Sequence, residues 1–193
     1  FGTRMLDENG MLKKLAQEKN ATSDTSPTAA QMPKLVGLAY ASKLFRQNPD
    51  LHQFTDLSNK GNEVAFGTIG NASTSEGLFL EAINAAGVLQ IPMVISIWDD
   101  GYGISVPNEY HTTKGEISKA LKGFQRDEDG EGFEIIRVNG WDYEGLRKAY
   151  KKAAEISRKE HVPVLIHVLE MTQPQGHSTS GSHERYKSKE RLQ

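Results

Sequence analysis

The sequence predicts an α/β fold, a three-layer doubly wound parallel sheet with helices on both faces. Two observations carry this. Short apolar runs alternate with longer helical segments along the chain, and the runs have the length and near-continuous apolarity of strands buried on both faces. Strand–helix–strand alternation of this kind folds onto one parallel sheet. With 193 residues the chain has room for a single domain, spanning 1–193, with a well-buried core.

The elements follow in order. Residues 1–24 are polar and turn-rich and read as an irregular arm. Ser26-Pro27-Thr28 starts a helix, because Ala29, Ala30, Met32, Leu35, Val36, Ala39, Tyr40, Leu44 and Phe45 follow at helical spacing. Val64–Ile69 is the first buried strand, and the loop Gly70-Asn71-Ala72-Ser73 leads into an Ala-rich helix from about Ser75 to Leu89. Pro92–Trp98 is the second strand and runs into Asp99-Asp100-Gly101-Tyr102-Gly103. Asp127–Gly132 reads as an exposed loop, Phe133–Val138 as a third strand, Tyr143–Lys159 as a charged amphipathic helix and Pro163–Leu169 as a fourth strand. Residues 173–193 are polar and read as a mobile active-site loop and tail.

Composition narrows the function. A net charge of −2 leaves no electrostatic footprint for nucleic acid. No apolar run reaches the roughly 18–20 residues that cross a bilayer, so no membrane partner is expected. The absence of cysteine excludes thiolate metal sites and cysteine nucleophiles and fits a cytoplasmic location. Opening on Phe1-Gly2 without an initiator Met, the chain reads as part of a longer polypeptide, truncated at both ends.

In a parallel α/β sheet, ligands bind at the carboxyl ends of the strands. Gly70–Ser73, Asp99–Gly103 and Gln175–Ser180 all fall there. Taken singly, each has an ordinary reading as a turn, a cap or an exposed loop. Together they are more specific. The first exposes backbone N–H groups ahead of a helix, which suits a phosphate. Asn71 and Asp100 add hard oxygen donors, the type Mg²⁺ shares with a diphosphate.

These residues resemble a known family. Thr68-Ile69-Gly70-Asn71-Ala72-Ser73-Thr74-Ser75-Glu76-Gly77 is similar to the motif Gly-(Asp/Glu)-Gly-Ala-x-Ser-Glu-Gly of the alpha chain of thiamine-diphosphate-dependent 2-oxo-acid dehydrogenases. Asp99-Asp100-Gly101-Tyr102-Gly103-Ile104-Ser105 is similar to its closing Asn-Asn-x-Tyr-(Ala/Gly)-Ile-Ser, at the family's own spacing. Ser26–Pro33 and Gly176-His177-Ser178-Thr179-Ser180 resemble further family segments.

The resemblance implies a thiamine-diphosphate-binding fold with thiamine diphosphate and Mg²⁺ as cofactors. Asn71, Asp100 and the carbonyl of Tyr102 would hold the metal. Gly70, Ala72 and Ser73 would approach the diphosphate, and Ser26 and Thr28 would line the pyrimidine side. His177 would be the catalytic residue near the reacting carbon, and Ser178 matches a serine phosphorylated in some members. The implied reaction is oxidative decarboxylation of a 2-oxo acid, branched-chain or pyruvate, with acyl transfer to lipoyl. Implied partners are a beta chain that supplies the activating glutamate, a lipoyl-bearing acyltransferase, and further copies in a homo-oligomer or heterotetramer. The chain alone would then be inactive, and Glu76 reads as a structural helix residue.

Departures from the motif are visible. The family's acid stands as Asn71 and its second asparagine as Asp100, which reads as a swap that keeps one amide and one carboxylate. Ala72 replaces a glycine, and Trp98 and Gln173 stand where relatives often carry basic residues. The rival readings are a non-catalytic assembly subunit with a lost metal site, a flavodoxin-like electron carrier, and a thiamine enzyme of the transketolase group.

Overall fold

The structure, a computed structural model, describes residues 6–11, 13–17, 21–22, 25–172 and 183–192. Its centre is a four-stranded parallel sheet made of β1 (Ala65–Gly70), β2 (Met93–Trp98), β5 (Glu134–Asn139) and β6 (Val164–Leu169), in the order β1-β2-β6-β5. β2 and β6 are the inner strands, and their apolar runs are buried from Met93 to Ile97 and from Val164 to Val168. A short antiparallel hairpin, β3 (Tyr102–Gly103) with β4 (Val106–Pro107), follows β2.

Helices cover both faces, so the sheet is the middle of three layers. On one face, α1 (Gln31–Gln47) and α2 (Gly77–Leu89) bury Met32, Leu35, Ala39, Phe79, Ala82, Ile83 and Ala86 against Ile95, Ile97 and Leu165. On the other, α4 (Tyr143–Glu160) packs Ala153 on Val94, Val164, Ile166 and Val168. Each large buried aliphatic or aromatic side chain contributes about 1.5–3 kcal/mol over leaving it in water. Asp142 caps α4 by accepting from the Gly145 N–H at 2.9 Å.

Four expectations need correction. The first helix begins at Gln31 rather than Ser26, because Ala29 sits at φ 62 and residues 27–30 close a turn. The second begins at Gly77, after a separate 3-10 turn over Ala72–Ser75. The stretch between β2 and β5 carries no sequence-predicted element beyond the exposed loop at Asp127–Gly132, which the fold contains. It holds the hairpin, α3 (Ile117–Ala120) and several 3-10 turns, too short to leave a periodic signal. The tail also has structure within its described part, with a 3-10 turn at His183–Arg185 and α5 (Lys189–Leu192).

Candidate functional site

The carboxyl ends of β1 and β2 are joined by hydrogen bonds. The Asn71 N–H donates to the Trp98 carbonyl at 3.1 Å, the Asp99 N–H to Val168 O at 2.9 Å, and the Met171 N–H to Asp99 O at 2.9 Å. The loops after β1, β2 and β6 therefore start from one fixed edge.

From this edge Asn71 turns inward and is 5% exposed. Its Nδ2 donates to the Tyr102 carbonyl at 3.0 Å and to Asn108 Oδ1 at 2.7 Å. Both of its N–H hydrogens are thereby engaged, which leaves Oδ1 as the atom Asn71 has to offer. The Tyr102 carbonyl retains a second lone pair. Asp100 is drawn into the same turn, where its Oδ1 accepts from the Tyr102 N–H at 3.1 Å. Gly101 reverses the chain at φ +89, a conformation that glycine adopts without strain. Gly103 lies so close to the first loop that an added Cβ would sit 2.6 Å from the Ala72 Cβ.

Beneath this surface runs a polar chain that the linear sequence did not reveal. The Asp99 carboxylate accepts from Asn108 Nδ2 at 2.9 and 3.1 Å, from the Gly101 N–H at 2.8 Å, and pairs with His167 Nε2 at 2.9 Å. His167 is fully buried in β6, and its Nδ1 meets Ser118 Oγ at 3.0 Å. Ser118 donates to Glu116, which pairs with Lys119 and Arg137 at the surface. Burial alone would raise the pKa of Asp99. The hydrogen bonds from His167, Asn108 and Gly101 outweigh it and hold the carboxyl below its ordinary value, so it is ionised near neutrality. A histidine inside an otherwise apolar strand was the one available signal, since a buried imidazole needs partners for both nitrogens.

The tail reaches the same loop. Lys187 is buried, with Nζ 4.0 Å from Asp100 Oδ2 and 5.2 Å from the centre of the Tyr102 ring. Tyr186 meets Tyr102 edge to face, and Arg191 Nη2 donates to Asp100 O at 3.1 Å. The Trp98 indole donates to Ser96 Oγ at 3.0 Å.

The structure thus brings Asn71, Ala72, Asp100 and Tyr102 together. Gly70 and Ser73 flank Asn71, but one turn ahead of α2 rather than at its N-terminus. Ser26 and Thr28 are exposed in the turn before α1, and among the described residues no hydrogen bond ties them to the other candidates. The Gln31 side chain, just after them, donates to Thr68 O at 3.3 Å, near the end of β1. His177, Ser178 and Gln173 lie outside the described residues. Among the described residues no group of three or more His, Cys, Asp or Glu converges on a metal position. One amide oxygen, one carboxylate and one carbonyl are instead the donor set of a hard cation that completes its shell with water and phosphate.

Comparison with known proteins bears on the family and the fold. Residues 4–193 match the family described as dehydrogenase E1 component. The mitochondrial 2-oxoisovalerate dehydrogenase subunit alpha of Dictyostelium discoideum is 32% identical over 174 residues, covering 90% of this chain and 34% of that protein. The corresponding subunit alpha of Bacillus subtilis (strain 168) is 29% identical over 154 residues, covering 79% of this chain and 40% of that protein. Among solved structures, a transketolase from Pichia stipitis overlays with TM-score 0.57 at 22% identity, over 75% of this chain and 20% of that one. One from Campylobacter jejuni gives 0.55 at 22%, with the same coverage. At that identity the likeness is one of fold. This chain spans between 29% and 40% of the length of these alpha-subunit relatives.

Proposed function

The chain belongs to the dehydrogenase E1 component family, and from that premise we propose that it forms the thiamine-diphosphate-binding alpha part of a decarboxylating 2-oxo-acid dehydrogenase. The observation that carries the reading is the meeting of Asn71 and Tyr102, with Asp100 beside them, across the ends of β1 and β2. Branched-chain 2-oxo acids are the proposed substrates, a choice supported by relatives named 2-oxoisovalerate dehydrogenase. The flavodoxin-like alternative falls with the family membership.

When bound, thiamine diphosphate supplies the carbanion chemistry by which a 2-oxo acid loses carbon dioxide and its acyl unit passes to lipoyl. This chain's residues bind and orient. Asn71 Oδ1, the Asp100 carboxylate and the Tyr102 carbonyl would hold Mg²⁺. The backbone of Gly70, Ala72 and Ser73 would approach the diphosphate, and Ser26 and Thr28 would line the pyrimidine side. Lys187, at Asp100, adds positive charge on the phosphate side. The activating glutamate comes from a beta chain or fused beta half, and a lipoyl-bearing acyltransferase takes the product. The exposed side chains Leu38, Tyr40 and Leu44 on α1 and Leu80 and Val88 on α2 suit the beta interface.

Calorimetric titration of the intact native protein with thiamine diphosphate, with and without Mg²⁺, tests the reading. Binding that a chelator abolishes is expected, and Asp100→Ala should weaken it at least about tenfold, which is about 1.4 kcal/mol. Absence of binding in both conditions would replace the enzyme by the assembly-subunit alternative.

A further inference from the structure

The amide of Asn71 belongs to a hydrogen-bond chain with a fixed direction. An ionised carboxylate only accepts, so Asp99 obliges Asn108 to turn its NH₂ towards it, and the bidentate contact at 2.9 and 3.1 Å does this. Asn108 Oδ1 then faces away from Asp99 and accepts from Asn71 at 2.7 Å. Asn71 in turn spends its second N–H on the Tyr102 carbonyl at 3.0 Å. Reversing any one amide would set oxygen against oxygen or nitrogen against nitrogen. Asn108 is further fixed by its own N–H, which donates to Gly101 O at 3.1 Å.

We propose that Asn108 is a positioning residue, locking the Asn71 amide with its oxygen towards the cofactor loops, and that the charge on Asp99 sets the direction of the lock. The role rests on the proposed cofactor site. It makes an amide obligatory at position 71 for as long as Asp99 stands at the other end. A carboxylate at 71 would put oxygen against both Asn108 Oδ1 and the Tyr102 carbonyl. Substituting Asp99→Asn as well would let residue 99 donate to Asn108 Oδ1. Asn108 would then turn its NH₂ to the new carboxylate, and the whole chain would run the other way. His167 can follow that reversal with its Nδ1–H donating to Ser118 Oγ, whose own hydrogen goes to Glu116.

The test is a double-mutant cycle on the intact native protein, with Asn71→Asp, Asp99→Asn and the pair. Two readouts are taken: thermal melting without cofactor, and calorimetric affinity for thiamine diphosphate with Mg²⁺. Each single change should lower the melting temperature and weaken binding by about tenfold, the scale of one unsatisfied buried hydrogen bond. The pair should recover about half of the combined loss, since the bond to Tyr102 O is not restored. Asn108→Ala should weaken Mg²⁺-dependent binding more than it lowers melting. Strict additivity in both readouts would overturn the lock. Coupling in melting without coupling in affinity would overturn its positioning role. If the unsubstituted protein shows no Mg²⁺-dependent binding, the functional reading fails, and the melting cycle by itself still decides the lock.

Discussion

Asn71, Asp100 and Tyr102 were legible because their chemistry is local: hard oxygens in turns that directly follow apolar strands. Asp99, Asn108 and His167 were not. Asp99 and His167 are 68 residues apart in sequence and touch only because β2 and β6 are neighbours. This changes how the substitutions in the motif are understood. The sequence pairs Asn71 with Asp100 as a swap of acid and amide, whereas the hydrogen bonds tie Asn71 through Asn108 to Asp99. Asp100 instead faces Lys187 across 4.0 Å. His161, far from the site, gives a clean titration. It is 8% exposed and its Nε2 has no hydrogen-bond partner. Burial, then the charge of Arg46, holds its pKa below the ordinary 6.5, against a smaller opposing pull from Gly61. The unfolded chain therefore takes up the proton first as pH falls. The stability that neutral His161 contributes is complete above pH 6.5 and is lost as pH drops from there towards the lowered folded value. Melting temperature should fall across that window, and His161→Asn, which tolerates the left-handed φ of 57, should flatten the fall. An unchanged slope would assign the pH dependence to other groups.

At the scale of elements, the strand bounds were read almost to the residue, but β1, expected to be buried, is an edge strand in which only Ile69 is buried, and the continuous buried runs are β2 and β6. Helix starts were misplaced by a few residues because Ala29 and the 3-10 turn at Ala72–Ser75 break the pattern locally. The hairpin β3–β4 left no sequence signal, yet it lies against the loop that follows β1. Gly103→Ala should cost about 1–3 kcal/mol by overpacking Ala72, measurable by denaturant titration. In an Ala72→Gly background most of that cost should vanish, because the methyl it meets is gone. Equal costs in both backgrounds would mean that the loops adjust without strain.

The whole molecule presents a covered sheet and an uncovered helical face. That face is made by α1 and α2. In the fold, their buried stripes face the sheet, while Leu38 and Leu44 on α1 and Val88 on α2, the last 76% exposed, point outward. Replacing exposed residues of this kind changes stability by only about 0.5 kcal/mol. Leu38→Asp with Val88→Asp should therefore leave melting nearly unchanged while splitting the native assembly, as read by light scattering. An intact assembly would move the beta interface to another face. A linear sequence shows which residues are apolar but not which apolar face the fold leaves open.

The contact between Gly103 and Ala72 also constrains descent. The related motif has glycine at the first position and allows alanine at the second, and this chain has the reverse. A lineage moving from glycine-then-alanine to the present pair avoids a cost of about 1–3 kcal/mol only if the methyl at 103 is shed before the one at 72 is gained. The opposite order passes through an ancestor with both methyls, whose loops collide. Neither replacement is harmful or harmless by itself, and selection acts on their sequence in time.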